Sequence, residues 1–382
     1  MKILSVVGAR PNFMKIAPLI HAINKHNKKK HNLNIEHVLV HTGQHYDDNM
    51  SKVFFKSLNI PEADVHLNIG SGSHAMQVGK TMIEFETVLK NEKPDWVIVL
   101  GDVNATLACS VTAKKEKVRV CHIEAGLRSN DMNMPEEINR IVTDSISDLL
   151  LTPDILSSKN LLNEGKEESQ IHFVGNIMID TLEANKDKAS KLHISKIIEN
   201  NIINKSKHAY TEGKKFSVVT MHRPSNVDNK TILSEFINFF NNTVTTKTMI
   251  IWPVHPRTKK QLLKMGLWES LEINEKIIML NPLSYHEMLK LNLEANVFFT
   301  DSGGLQEECC VVGTPCITLR ENTERPITLS KNGGVSVLVG SDINMISKEF
   351  ESIIDLTKSP KVPDLWDGRT ADRCLEILIK NL

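Results

Sequence analysis

The residues of this chain best suited to chemistry lie at 300–308, Thr-Asp-Ser-Gly-Gly-Leu-Gln-Glu-Glu. An apolar run before them predicts a buried strand and a helical pattern follows them, so Ser302, Gly303 and Gly304 are expected on a strand-to-helix turn. Backbone N–H groups at such a turn, together with the helix dipole, can hold a phosphate. Glu308 lies one helical turn further on, where its carboxylate can reach the group that carries the phosphate, such as a ribose diol. These residues predict a nucleotide-diphosphate site, and an ordinary glycine-rich turn that caps a helix is the alternative.

Four further side chains that could transfer protons stand at predicted strand ends or at the start of a helix: Asp102, Glu124, Glu136 and His222. Each carboxylate also has a structural alternative, which is the N-cap of a helix for Asp102 and compensation of the helix dipole for Glu136. For Glu124 the alternative is an ion pair with Arg128 or Arg140. Three carboxylates and a histidine that converge on one cleft would suit proton transfers on the two faces of a ring.

The elements that must position these residues follow a regular order along the chain. Short apolar runs that predict strands alternate with amphipathic helical stretches, which is the pattern of doubly wound parallel sheets. A length of 382 residues indicates two domains, because single cores rarely grow past about 300 residues. We predict an α/β protein with two Rossmann-like domains facing a cleft, at 1–172 and 173–359, and a C-terminal helix within 360–382 that packs back on the first domain. Ligands of such sheets bind beyond the carboxyl ends of the strands, where the candidate residues are expected, and this favours an enzyme.

Composition argues against several other classes of function. The 46 basic and 46 acidic residues balance, so the chain lacks the positive charge of a nucleic-acid-binding protein. No apolar run approaches the roughly 18 residues of a membrane span, and the N-terminal segment predicts a first strand and not a signal peptide. The six cysteines form no CxxC pair, which predicts reduced thiols in a cytoplasmic protein.

Neither a metal nor a redox cofactor is expected. The HxxxH spacing of His41 and His45 runs across a strand end and a glycine turn, and it lacks the glutamate of a zinc-binding helix. The first turn, Gly-Ala-Arg-Pro at 8–11, has one glycine where a dinucleotide fingerprint needs three. An arginine in that turn favours an anionic ligand instead.

Taken together, these motifs resemble the non-hydrolysing UDP-N-acetylglucosamine 2-epimerases over nearly the full length of the chain. The matching segments are Gly-Ala-Arg-Pro with Lys15, Thr-Gly-Gln-His at 42–45, Gly-Asp at 101–102, Glu-Ala-Gly-Leu-Arg at 124–128, Pro-Glu-Glu-x-Asn-Arg at 135–140, Met-His-Arg at 221–223, the 300–308 motif and Thr-Glu-Arg-Pro at 323–326. The resemblance implies a glycosyltransferase-B-like fold, usually a homodimer, and a UDP-N-acetylhexosamine as substrate. It also implies reversible conversion of UDP-N-acetylglucosamine to UDP-N-acetylmannosamine through 2-acetamidoglucal, by elimination and re-addition of UDP.

The resemblance further implies a set of functional residues. The family's catalytic positions are matched by Asp102, Glu124, Glu136 and His222, with Lys15 and Arg140 in support. Its contacts to the UDP-sugar, to which Lys15 also belongs, are matched by Arg10, Leu283, Met288, Ser302, Gly303, Gly304, Glu308 and Arg325.

Some positions depart from the common bacterial pattern. Met288 replaces an aromatic contact to uracil, and its thioether can still pack on the base. Tyr46 stands where an arginine often follows Gln-His, which bears on the family's activation by a second UDP-N-acetylglucosamine. Some relatives with the same first turn act on UDP-2,3-diacetamido-glucuronate, so that substrate remains open. A hydrolysing epimerase, a glycosyltransferase and a silent UDP-sugar sensor are further alternatives.

Overall fold

The computed structural model describes residues 1–29, 33–43, 60–203 and 210–382. The chain forms two compact units, one of Met1–Thr181 with Asp364–Leu382 and the other of Leu182–Pro363. Each unit is built around one parallel sheet with interleaved helices, so the predicted α/β class with two doubly wound sheets is confirmed. Within the described residues, no helix has the length and apolar character needed to cross a membrane. All six cysteines are buried and free.

The first unit contains a parallel sheet of seven described strands in the order β3-β2-β1-β4-β5-β6-β7. These are β1 Lys2–Val7, β2 Glu36–His41, β3 Val65–His66, β4 Trp96–Leu100, β5 Arg119–Ile123, β6 Leu149–Thr152 and β7 Ile171–Phe173. The helices are α1 Arg10–Lys28, α2 His74–Glu92, α3 Asn104–Lys115, α4 Pro135–Ile146, α5 Ile155–Asn163, α6 Ile177–Ser190, which continues into the second unit, and the C-terminal helix Thr370–Lys380. The C-terminal helix packs against α1.

The second unit has six described strands in the order β10-β9-β8-β11-β12-β13, again all parallel. They are β8 Phe216–Thr220, β9 Met249–Pro253, β10 Ile277–Leu280, β11 Val297–Thr300, β12 Cys316–Thr318 and β13 Ser336–Leu338. The helices are α7 Ile194–Asn201, α8 Pro224–Val227, α9 Lys230–Phe239, α10 Thr245–Lys247, α11 Pro256–Lys264, α12 Trp268–Glu272, α13 Tyr285–Glu294, α14 Gly303–Val312 and α15 Ile343–Ile353, with a π-helical stretch Phe240–Val244 between α9 and α10.

The central strands are largely apolar because both faces of each sheet are covered. All five residues of β4 are buried, as expected for a parallel strand between two layers of helices. In β11 the adjacent residues Phe298 and Phe299 enter different core clusters, one that includes residues of α7 and α13 and one that includes residues of α9 and α15. Successive side chains of a strand point to opposite faces, so one short apolar run contributes to both layers of the core.

The strand order of each sheet reverses at one point, between β1 and β4 in the first unit and between β8 and β11 in the second. In doubly wound sheets ligands bind outside the carboxyl ends of the strands at such a point. Arg10 and Asp102 follow β1 and β4, and His222 and Ser302 follow β8 and β11. Predicted functional residues therefore lie at the reversal point of each unit.

Candidate active site

Lys15 and Glu124 form a buried ion pair beside the carboxyl end of β4. Lys15 comes from α1 and Glu124 directly follows β5, and the Lys15 ammonium donates a hydrogen bond to the Glu124 carboxylate. Only 6% of Lys15 and 5% of Glu124 is exposed. Gly101 packs against the pair, since a Cβ there would lie 2.8 Å from Lys15 Nζ and 2.9 Å from Glu124 Oε2. Glycine is needed at this close approach, and its φ of +66° also favours glycine.

Glu124 itself has a φ of +75°, a left-handed conformation that residues other than glycine seldom adopt. The N–H groups of Glu124 and Ala125 both donate to the Leu151 carbonyl, at 3.0 and 3.1 Å. Backbone strain of this kind persists only where the surroundings impose it, and it is concentrated at functional sites. Of the two arginines predicted as alternative partners, Arg128 pairs with Asp144 and Glu164, and Arg140 pairs with Asp102 and Glu137.

Asp102 is held by Arg140. The guanidinium of Arg140 donates from Nε and Nη2 to Asp102 Oδ2 at 3.0 and 2.7 Å, and a quarter of the Asp102 side chain is exposed. The alternative role as a helix N-cap is wrong, since Val103 holds that position in α3. Asn139 Nδ2 also donates to the Asp102 carbonyl at 2.8 Å, so α4 fixes both the backbone and the side chain of Asp102.

Glu136 and Glu137 occupy the first turn of α4 after Pro135, but their environments differ. Glu136 is half-buried. Glu137 is almost completely buried, accepts the N–H groups of Ser129 and Asn130 at 2.8–3.0 Å, and pairs with Arg140. Sequence reasoning missed this structural role of Glu137. The only signal was a second acidic residue three positions before an arginine.

His222, at the end of β8, is oriented by a buried aspartate that follows β11. His222 Nδ1 lies 2.7 Å from Asp301 Oδ1, and the backbone N–H groups of His222 and Arg223 donate to Asp301 Oδ2 at 2.9 Å. Burial alone would raise the pKa of Asp301, but the His222 contact and these N–H groups lower it. The imidazole is still accessible, since 41% of the His222 side chain is exposed. Asp301 lies inside the 300–308 motif, yet sequence reasoning gave it no role.

Ser302, Gly303 and Gly304 form the predicted strand-to-helix turn and open α14. Ser302 occupies the N-cap position, but its side chain makes no capping hydrogen bond. The N–H groups of the first turn therefore lack the side-chain acceptor that an N-cap usually supplies. Such a helix start favours an anion through its N–H groups and its dipole.

Arg325 lies against this helix start. A Cβ on Gly303 would come within 2.5 Å of Arg325 Nη1 and 2.7 Å of Glu324 Oε1, so glycine is required for the guanidinium to approach. Arg325 pairs with Glu324 and Glu307, two buried carboxylates that were not predicted. The arrangement places a cation beside the N–H groups of α14, as binding of a diphosphate would require.

Glu308 lies in α14, one turn past the glycines, and is buried. Burial raises the pKa of its carboxyl to about 8, the nearby Tyr285 hydroxyl lowers it, and the charge of Glu307 raises it further. Leu283 is buried and Met288 is half-buried, and both belong to the apolar cluster around α13 and α14. The second unit therefore gathers the predicted contacts to a nucleoside around the start of α14 and the adjacent α13.

The remaining predicted residues are placed as follows. Arg10 is the first residue of α1, directly after the turn that follows β1. Gln44, His45 and Tyr46 lie outside the described residues. Within the part of the chain that the structure describes, no three His, Cys, Asp or Glu side chains are grouped as metal ligands. Independence of metals and redox cofactors remains a prediction.

Known proteins share this arrangement of motifs and fold. A family model described as UDP-N-acetylglucosamine 2-epimerase matches residues 27–379. The UDP-N-acetylglucosamine 2-epimerase of Methanocaldococcus jannaschii is 41% identical over 379 residues, 99% of each chain. A crystal structure of the M. jannaschii enzyme in complex with UDP-GlcNAc and UDP covers 100% of both chains with a TM-score of 0.87 and 40% identity. The UDP-2,3-diacetamido-2,3-dideoxy-D-glucuronate 2-epimerase of Pseudomonas aeruginosa is 35% identical over 382 residues, 100% of each chain. The chain is therefore an isomerase that belongs to the UDP-N-acetylglucosamine 2-epimerase family, with a glycosyltransferase-B-like fold.

Proposed function

We propose that this enzyme interconverts UDP-N-acetylglucosamine and UDP-N-acetylmannosamine by inverting C2 of the sugar. The observation that carries the proposal is the pairing of carboxylates with cations at the reversal point of the first sheet, Glu124 with Lys15 and Asp102 with Arg140. A helix start flanked by Arg325 at the reversal point of the second sheet supports it. The relative from M. jannaschii carries the name of this activity.

The chemistry explains why both sets of residues are needed. The C2 hydrogen is not next to a carbonyl, so its loss alone would leave an unstabilised carbanion. If the C1–O bond to UDP breaks at the same time, the C2–H electron pair forms a C1=C2 double bond. The C1–O pair then leaves with the diphosphate. The products are 2-acetamidoglucal and UDP, and no electron acceptor is required.

Return of UDP to C1 with a proton delivered to the opposite face of C2 completes the inversion. One group must therefore act as a base on one face of the ring and another as an acid on the other. Asp102, Glu124 and Glu136 are the candidates for these two tasks, with His222 in support. The diphosphate must be held after the bond breaks, a task for Arg325, Arg10 and the N–H groups at the start of α14.

A second candidate substrate is UDP-2,3-diacetamido-glucuronate. The relative from P. aeruginosa that bears this name aligns over the entire chain. The same elimination and re-addition would invert C2 in this sugar, because neither step involves C3 or C6. Substrate choice therefore depends on contacts to those two carbons.

The test is incubation of the purified protein with UDP-N-acetylglucosamine in D2O, with EDTA and without NAD, followed by NMR. We expect an equilibrium mixture with the 2-epimer, and the newly formed epimer should carry deuterium at C2. The second sugar nucleotide is assayed in parallel, and faster turnover of it would reassign the substrate.

Three outcomes would contradict the proposal. Full retention of the C2 hydrogen would indicate oxidation and internal hydride return. Accumulation of free N-acetylmannosamine with UDP would indicate a hydrolysing enzyme. Activity that EDTA abolishes and a divalent cation restores would indicate a metal site.

A further inference from the structure

The strained conformation of Glu124 requires something in the fold to maintain it. A non-glycine residue is less stable in the left-handed region than in its favoured conformation, and Glu124 has a φ of +75°. Its ion pair with Lys15 fixes the end of the side chain. The segment on either side of Glu124 must be fixed separately. A residue of α4 contacts this segment on both sides.

That residue is Asp144, which lies in α4 and is completely buried. Its Oδ1 is 2.6 Å from His122 Nδ1, and its Oδ2 accepts the Gly126 N–H at 3.0 Å and Arg128 Nη1 at 2.7 Å. These partners stand two residues before, two residues after and four residues after Glu124. One carboxylate thus holds the segment on both sides of the strained residue.

The same contacts extend to the end of β4. His122 Nε2 lies 2.9 Å from the Gly101 carbonyl, which can only accept, so Nε2 carries a proton. The other ring nitrogen faces Asp144. Burial would raise the pKa of Asp144, but His122 and Arg128 lower it, which keeps an ionised carboxylate at the centre of the cluster. The hydrogen bonds that the Asp144 carboxylate accepts from Gly126 and Arg128 are therefore charge-assisted, and such bonds are stronger than neutral ones.

We propose that Asp144 is a positioning residue for catalysis, acting through Glu124. This inference rests on the proposed function, since it assumes that Glu124 takes part in proton transfer. Asp144 stands four residues after Arg140 on α4, and Arg140 holds Asp102. The same helix thus sets the location of both Asp102 and Glu124. A purely architectural role for Asp144 is the alternative that an experiment must separate.

The experiment compares Asp144→Asn in the wild-type and Glu124→Gln backgrounds by NMR turnover of UDP-N-acetylglucosamine. Misplacement of a catalytic group by about 1 Å can lower the rate about 10²-fold, so we expect Asp144→Asn alone to lower kcat by about 10- to 100-fold. The Kd for UDP should be unchanged. In the Glu124→Gln background the same substitution should lower kcat less than about twofold, because residues that act through one another are not additive.

Asp148→Asn is the matched control. Asp148 follows the same helix and accepts the Val120 N–H at 2.7 Å, so it anchors the start of β5, whereas Asp144 anchors its end. This variant should keep near wild-type kcat. Equal losses from Asp144→Asn in both backgrounds would overturn the proposal, as would a loss from Asp148→Asn as large as that from Asp144→Asn.

If the Asp144→Asn variant does not fold, the His122→Asn variant tests the proposal instead. It removes one partner of Asp144 and leaves the Gly126 and Arg128 contacts in place. The proposal is supported if His122→Asn lowers kcat in the wild-type background but not in the Glu124→Gln background. An equal decrease in kcat in both backgrounds overturns it. Turnover by the wild-type protein tests the proposed function separately. If only UDP-2,3-diacetamido-glucuronate is turned over, the same variants are compared on that substrate.

Discussion

Glu308→Gln should remove a large pH dependence from the free energy of unfolding. In the folded protein burial raises the pKa of Glu308 from 4.5 to about 8. Between these values the folded state binds a proton that the unfolded chain has released, so stability falls as pH rises. Each pH unit in that window corresponds to about 1.4 kcal/mol. From pH 5 to pH 8 the wild-type protein should therefore lose about 4 kcal/mol relative to the variant, whose amide does not titrate.

The assay is urea unfolding of both proteins at each pH from 5 to 9, followed by circular dichroism, with the two free energies subtracted. Other groups titrate equally in both proteins and cancel, including His37, whose pKa burial lowers to about 4. Asp228→Asn is a control in which the pKa shift has the opposite sign, because Arg257 lowers the pKa of the Asp228 carboxyl. The contribution of Asp228 to the free energy of unfolding is lost only in acid. Its difference from wild type should stay constant from pH 5 to pH 9. Parallel curves for wild type and Glu308→Gln would refute the reasoning, since they would show that Glu308 is ionised in the folded protein even at pH 5.

Five other variants test the proposed roles and the packing beside them. At pH 9, where the Glu308 carboxylate is mostly ionised, Glu308→Ala should weaken binding of UDP alone, as well as of the sugar nucleotide, by about 1.5–3 kcal/mol, the scale of a hydrogen bond to a charged group; an unchanged Kd by calorimetry would exclude a ribose contact. Asp102→Asn, Glu124→Gln and Glu136→Gln should each lower turnover by about 10²- to 10⁴-fold with an unchanged circular dichroism spectrum, and near-normal turnover in all three would refute the proton-transfer assignment. Gly101→Ala should lower the free energy of unfolding by about 1–2 kcal/mol, the cost of a side chain at positive φ, and should crowd the ion pair beside it; a thermal unfolding midpoint equal to wild type would contradict that packing.

The sequence alone was sufficient for most strands of both sheets. Apolar runs in the sequence predict strands at the positions of β1, β2, β4 to β6 and β8 to β12, and all ten are present. An apolar run bounded by polar turns can be buried on both faces only between layers of helices. The strands that were missed are β3, β7 and β13, which have two or three residues each. A run of that length is too short to show a periodicity. Their pairing depends on the neighbouring strand that is already in the sheet.

The sequence also showed where the candidate functional residues lie. When a strand is followed by a glycine turn, the residues of that turn lie at the carboxyl edge of the sheet. This applies to Asp102, Glu124 and the Ser302–Gly304 turn. The pair of Glu137 and Arg140 has the i,i+3 spacing of neighbours on a helix, but the sequence did not show that Glu137 would be the partner. Local sequence therefore determined which residues could do chemistry and at which edge of the sheet they lie.

Tertiary structure decided which partner each charged group has and in what environment. Arg140 is 38 residues from Asp102, Asp144 is 22 residues from His122, and Asp301 is 79 residues from His222. No spacing rule predicts pairs at such separations, since they depend on how strands are ordered in the sheet. The raised pKa of Glu308 likewise depends on side chains of α13 and α14 that exclude water from it. The burial of a carboxyl group and the electric field that acts on it depend on atoms from the whole fold. The pKa shift therefore arises only when the chain has folded.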